Sequence, residues 1–233
     1  MKYKLKRKQP ILFALILLLV FAVTSAAFDN NGASPTAAAE RRLMVIDAGH
    51  GGVDGGAVSI DGTRESDINL AIALRLEQLA AFCGVETVMT RVTDSSSLQM
   101  LSYSEHRDLA NRAEIANNAG DAVLISIHQN FFSTTQPKGA QVLYSSNELS
   151  RRLAEQLQHN LVSCLDPENR RLAVPAPDRL YLTSNVNCPA ILVECGFMSN
   201  FSDIEKLKDK DYQSALALVL MASYLQTRDI NIA

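Results

Sequence analysis

The sequence predicts a single α/β domain, an open, mostly parallel or mixed sheet flanked by helices on both faces. Short apolar runs alternate with longer segments of helical spacing, as strands and helices laid down in turn would. The run Ala122–Ile127 is apolar without a break, which suits a central strand covered on both sides. His50, His128 and Glu194 stand at or just past the ends of three such runs. Open α/β sheets gather ligands beyond the carboxyl ends of their strands.

In chain order, Leu43–Ile46 reads as the first strand, followed by a glycine-rich turn through Gly56. From Glu65, the residues Ile68, Ile72, Leu76 and Leu79 recur at helical spacing until Gly84 stops the pattern. Val85–Met89 is the second strand. Ser104–Asn118 is helical, with Ser104 as its cap and Asn118 and Gly120 at its end. After the central strand, Ala140–Tyr144 is a further strand, and Leu149–Cys164 is a helix stopped by Asp166-Pro167. Leu180–Leu182 and Ala190–Glu194 read as strands, and Asp211–Leu225 as a closing helix.

Ahead of this domain, Lys2, Lys4, Lys6, Arg7 and Lys8 precede 18 uncharged residues, Ile11–Phe28. A basic start, an apolar stretch and the small residues Thr24-Ser25-Ala26-Ala27 have the layout of an export signal. The stretch also approaches the roughly 20 residues that a spanning helix needs. Residues 1–28 are therefore read as a signal peptide or an N-terminal membrane anchor, with the basic flank cytoplasmic and the rest outside. Residues 29–41 are small, polar and aperiodic, a linker. Residues 42–228 are read as one folded domain, of a size that one core can serve.

Residues 41–233 carry 17 basic and 23 acidic residues, a mild excess near −6. No basic stripe interleaved with aromatics is present, so nucleic acid is not an expected partner. Membrane contact is expected only through the N-terminal segment. The four cysteines have no CxxC spacing, and a domain this large needs no covalent staples. Cys83 and Cys195 are read as small buried apolar residues.

The chemistry lies in four segments. His50 sits among glycines in Asp47-Ala48-Gly49-His50-Gly51-Gly52, where bare backbone lets a ligand come close. His128 stands in Ser126-Ile127-His128-Gln129-Asn130. Glu65 opens a helix. Glu194 closes Ala190-Ile191-Leu192-Val193, where a buried glutamate is costly unless paired or bound to metal. Each has a plainer reading when taken alone: a turn histidine, a hydrogen-bonded core histidine, a glutamate favoured by the helix dipole. Together, two imidazoles and a carboxylate make a three-ligand zinc site with one position open for water. A further carboxylate to move protons completes a hydrolase's set. His106 and His159, in charged helical segments, are assigned to solvated faces.

These segments resemble the zinc-dependent N-acetylmuramoyl-L-alanine amidases of bacterial cell walls. The likeness includes Ile68-Asn69-Leu70 after Glu65, Arg107 and Ala110-Asn111 before His128, and Cys195-Gly196-Phe197-Met198-Ser199-Asn200 after Glu194. It runs in order through nearly all of Leu43–Leu225. It implies one zinc ion held by His50, Glu65 and His128, with Glu194 as the catalytic carboxylate. That glutamate would take a proton from zinc-activated water and pass it to the departing nitrogen. The substrate implied is peptidoglycan, cut between the muramic acid lactyl group and the L-alanine of the stem peptide. Gln129 and Asn130 are expected to hold substrate or to orient His128.

The short chain is most like the spore-cortex-type amidases, which implies an exported, extracytoplasmic enzyme acting in spore-cortex maturation. Too few residues separate Asn130 from Ala140 for the inserted plugging helix of the division amidases. Control is therefore expected from a regulatory or targeting protein, or from timed expression. Gly56 departs from the proline of many relatives and is expected to loosen its loop. Ser184 stands where relatives often carry a basic residue. Two other readings stay open. One is another exported zinc hydrolase, a peptidase or deacetylase, against which the lack of a His-Glu-x-x-His helix counts. The other is a wall-binding relative without turnover.

Overall fold

The computed structural model describes residues 42–97 and 103–228, so the expected leader and linker over residues 1–41 lie outside the described residues. The strands are β1 (Leu43–Ala48), β2 (Thr87–Met89), β3 (Ala122–Asn130), β4 (Gln141–Tyr144), β5 (Val174–Pro175) and β6 (Ala190–Phe197). The helices are α1 (Glu65–Phe82), α2 (Glu105–Asn118), α3 (Glu148–Cys164), α4 (Tyr181–Ser184), α5 (Phe201–Lys208) and α6 (Lys210–Arg228). One mixed sheet runs in the order β2-β1-β3-β6-β4-β5. Its first four strands are mutually parallel, β4 runs antiparallel to β6, and β5 runs parallel to β4.

Side-chain alternation along the central strands divides the core in two. Met44, Ile46 and Ala48 of β1 point with Val123, Ile125 and Ile127 of β3 and with Ile191, Val193 and Cys195 of β6 into the larger cluster. There they meet Ile72 and Leu76 of α1, Leu153 and Leu157 of α3, and Leu216 and Leu220 of α6. On the opposite face Val45, Leu124 and Ala190 meet Ala113 and Ala116 of α2 and Leu182 of α4. The expected architecture of helices on both faces is the one observed. No helix among the described residues is long and apolar enough to cross a membrane.

Several boundaries differ from the sequence reading. The second strand starts at Thr87, because the backbone N–H of Val85 is taken by the carbonyl of Ala80 at the end of α1. β1 and β3 run further than their apolar residues, through Asp47 and through His128–Asn130, since each finds a parallel neighbour to pair with. Leu180–Leu182, expected as a strand, instead opens α4, with Leu180 as its N-cap. The Leu180 N–H turns back to the Pro177 carbonyl, and the Ser184 N–H reaches the Leu180 carbonyl. The edge strand β5 and the helix α5 carried no periodic signal of their own. β5 has two residues, with a proline that only an edge tolerates. Ser104 caps α2 by position without a side-chain hydrogen bond. Cys195 is buried as expected. Cys83 is exposed, because it follows the last turn of α1 on its solvent side.

Candidate active site

The loop after β1 is held from below by two arginines. Arg91 donates to the carbonyls of Ala48, Gly49 and Ser66. Arg112 reaches across from α2 and donates to the carbonyls of Ala48 and His50 at 2.8 and 2.7 Å. The Arg112 guanidinium is 2% exposed and pairs with Asp47 at 2.6 Å and with Asp108 at 2.8 Å. Asp47 also accepts the hydroxyls of Thr90 and Ser126. Burial would raise the Asp47 carboxyl, but Arg112 and these hydroxyls hold it down at about 2. The frame therefore stays charged and hydrogen-bonded throughout, which a buried ion pair requires.

On this frame His50 adopts a φ of 61°, a left-handed conformation that non-glycine residues seldom take. The turn aims its ring at α1. His50 Nε2 lies 3.3 Å from Glu65 Oε1, while Nδ1 lies 2.8 Å from Asp54 Oδ2. His128, near the end of β3, approaches from the other side with Nδ1 3.0 Å from the same Glu65 Oε1. The two rings meet edge to face with centroids 5.0 Å apart. Gly49 is required by this approach, since a Cβ there would stand 2.3 Å from the His128 ring.

Glu65, on the first turn of α1, is buried and heavily solvated by protein. Its Oε1 accepts the Gln129 backbone N–H at 3.0 Å and the Asn69 amide at 3.3 Å, and its Oε2 accepts the Ala57 N–H at 2.9 Å. Burial opposes ionisation, yet the two imidazoles outweigh it and keep this carboxyl well below the usual range. Asp54 is held low in the same way, chiefly by its hydrogen bond to His50, with help from the Gly56 N–H and the Tyr103 hydroxyl. Burial would lower His50, but Asp54 and Glu65 raise it to about 10.

Glu194 faces this group from β6, where it is the register partner of His128. It is half-buried, and burial first of all lifts its carboxyl to about 7. Its Oε2 is buried with no hydrogen-bond partner. An orphaned carboxylate oxygen beside two imidazoles and a second carboxylate marks a place where something polar belongs.

The donor atoms of His50, Glu65 and His128 lie within 4.8 Å of one another. Two imidazoles and a carboxylate are a fitting donor set for zinc. The negative field of Asp54 and Glu65, which pulls a proton onto His50, is one that a divalent cation would satisfy. Asp54 on the far nitrogen of His50 stands where a metal-ligating histidine ordinarily has its outer partner, should His50 hold a metal.

Residues 44–223 match the protein family described as N-acetylmuramoyl-L-alanine amidase. The chain belongs to that family. The germination-specific N-acetylmuramoyl-L-alanine amidase of Bacillus subtilis strain 168 is 30% identical over 228 residues, covering 93% of this chain and 92% of that protein. The amidase LytC of the same organism is 33% identical over 179 residues, which is 75% of this chain but 33% of LytC. Among solved structures, the CwlD amidase of Clostridioides difficile, in complex with the GerS lipoprotein, superposes with a TM-score of 0.75. It is 35% identical, over 80% of this chain and 98% of that one.

Within the amidase fold, the four residues singled out in the sequence converge. Gln129 and Asn130 do not share one environment. Gln129 is buried on the face away from His128, where its amide donates to Asn69, so it braces Glu65's neighbour instead of facing outward. Asn130 is half-buried at the strand end, and its Oδ1 accepts the Phe131 N–H. His106 and His159 are exposed on their helices.

Arg107 of the sequence likeness is exposed, whereas Arg112 is the arginine that supports the site. The i, i+4 pair Asp108–Arg112 on the face of Ala113 and Ala116 was the available sign. Asp54, Asn69, Arg91 and Arg112 were not identified from the sequence as parts of the site: the two arginines reach it from distant segments, and the i, i+4 contacts of Asp54 with His50 and of Asn69 with Glu65 depend on how the loop and α1 present them. Gly56 has a φ of +65°, which a proline cannot adopt. Its N–H donates to the Asp54 carboxylate, a hydrogen bond that a proline could not make. Ser184 is exposed at the end of α4, with its hydroxyl on the Asp178 carbonyl.

Proposed function

We propose that this amidase cleaves the bond between the muramic acid lactyl group and the first L-alanine of the stem peptide. The observation that carries the reading is convergence: three metal-competent donors within 4.8 Å, flanked by a glutamate with an orphaned buried oxygen. His50, Glu65 and His128 would hold one zinc ion. A zinc ion held there supplies Lewis-acid polarisation and acidifies water at neutral pH.

The remaining work falls to the chain's own residues. Glu194 accepts a proton from the attacking water and returns it to the leaving nitrogen. A carboxyl raised towards neutrality suits both halves of that task. Asp54 fixes the ring of His50 and leaves Nε2 directed at Glu65. Asn69 and the Gln129 N–H hold the Glu65 carboxylate in place. Asn130 lies at the outer end of β3, where substrate would pass.

The domain would be residues 42–228, exported by residues 1–28 as a signal peptide or anchor and spaced by the linker 29–41. Action would then be at the cell wall, in spore-cortex maturation, where peptidoglycan is the substrate. The solved relative held by a lipoprotein supports a regulatory partner here too. Mass spectrometry of peptidoglycan digested with and without a chelator tests the reading. Free stem peptides beginning with L-alanine should appear, vanish with chelator and return with added zinc. Peptide-internal cuts or deacetylated sugars would replace this assignment with another hydrolase.

A further inference from the structure

Arg171 brings a guanidinium to the edge of the site without an acidic partner among the described residues. Its Nε donates to the Lys138 carbonyl at 2.9 Å and its Nη1 donates to Gln141 Oε1 at 2.9 Å. Its Cζ lies 4.5 Å from the centre of the Phe197 ring. These three contacts fix the plane of the group and leave Nη2 with no protein acceptor among the described residues. Gln141 of β4 stands directly opposite Glu194 of β6, and opposite residues of an antiparallel pair share one face of the sheet. The Arg171 charge is felt at Glu194, where it offsets part of the burial.

A half-buried, immobilised cation gains most when an anion completes its fork. The rest of the site is acidic, with Asp54, Glu65 and Glu194 within one cluster of rings and carboxylates. A zinc ion held by His50, Glu65 and His128 would answer the charge of those groups, which leaves Arg171 as a fixed cation beside Glu194 able to receive a carboxylate of the substrate. The sugar and lactyl side of the cut bond is neutral, whereas the stem peptide carries carboxylates.

We propose that Arg171 is a substrate-binding residue that pairs with the stem-peptide carboxylate nearest the cut bond, on the residue after L-alanine. This deepens the amidase reading above and rests on it. The contact acts on specificity, since a guanidinium fork distinguishes a carboxylate from its amide by both charge and hydrogen bonding.

The test compares soluble muramoyl peptides in which that carboxylate is either free or converted to the primary amide. The wild-type protein should cut the free acid with a kcat/KM about 10- to 100-fold higher, the scale of one charged hydrogen bond. Arg171→Ala should lose that preference, chiefly through KM, and Arg171→Lys should restore part of it. Equal losses on both peptides would reduce Arg171 to a brace for Gln141 and Phe197, overturning the proposal. So would a wild-type protein that cuts both peptides equally well, a result that needs no variant to fold. If the wild type cuts neither peptide, the amidase reading fails first and takes this one with it.

Discussion

Arg112 donates from its Nη2 to the backbone carbonyl of His50 at 2.7 Å, and His50 is the non-glycine residue with a positive φ among those described. The hydrogen bond holds the loop in a conformation that sterics disfavour, at a cost of the order of 1–3 kcal/mol for such strain. The arginine is itself locked by Asp47 and Asp108. Arg112→Met should therefore do two things. It should destabilise the domain by about 3–5 kcal/mol, because Asp47 is left buried without its counter-charge. It should also loosen His50 and weaken zinc retention. Urea unfolding and zinc competition against a chelator measure these separately, and wild-type values in both would refute the role given to Arg112.

Glu194→Gln should lower turnover by about 10²–10⁴-fold while zinc content stays at the wild-type level. In the metal-free protein the same substitution has a pH signature. Burial raises the Glu194 carboxyl from 4.5 to about 7, so the folded state holds this proton more tightly than the unfolded chain does. Its contribution to stability is full below about pH 4.5 and is lost as the pH rises through about 7. Metal-free Glu194→Gln, which cannot ionise, should gain on the wild type over that window by up to about 3 kcal/mol. Parallel stability curves from pH 4 to 8 would show that Glu194 is not desolvated.

Asp54→Asn keeps the shape of the loop but removes the charge facing His50 Nδ1. Zinc affinity should fall by about 10–100-fold, the usual effect of losing an outer-shell carboxylate. Titration against a chelating dye reads this directly. An unaltered affinity would mean that the ring is positioned by the backbone alone.

Gly49→Ala places a methyl where the His128 ring now lies, 2.3 Å from it. The ring must move, so zinc retention should drop sharply even if the fold survives at a cost of about 1–3 kcal/mol. A variant with full zinc content and an unshifted melting temperature would contradict the close approach of Gly49 and His128.

Much of this domain was legible in its residues. The apolar run of β3 and the helical spacing of α1 are local patterns, and each marked its element before any partner was known. Elements defined by their neighbours were not legible in this way. Val174–Pro175 is a strand only because β4 lies beside it, and Tyr181–Ser184 coils into one turn because Pro177 and Leu180 bend the chain. The same division runs through the site. The chemical identity of His50, Glu65, His128 and Glu194 was enough to suggest a metal and a proton carrier.

What the sequence determined by itself is therefore the set of reactive groups and the class of sheet that would carry them. The tertiary structure decided which nitrogen of each histidine faces Glu65, and that Arg112 carries the loop while Arg107 faces solvent. It also decided that Gln129 braces the interior and that Glu194 loses water enough to change its affinity for a proton. The physical reason is common to all four. Side-chain chemistry and periodicity are properties of a short stretch of chain, whereas desolvation, hydrogen-bond partnership and ring orientation exist only between stretches that folding brings together.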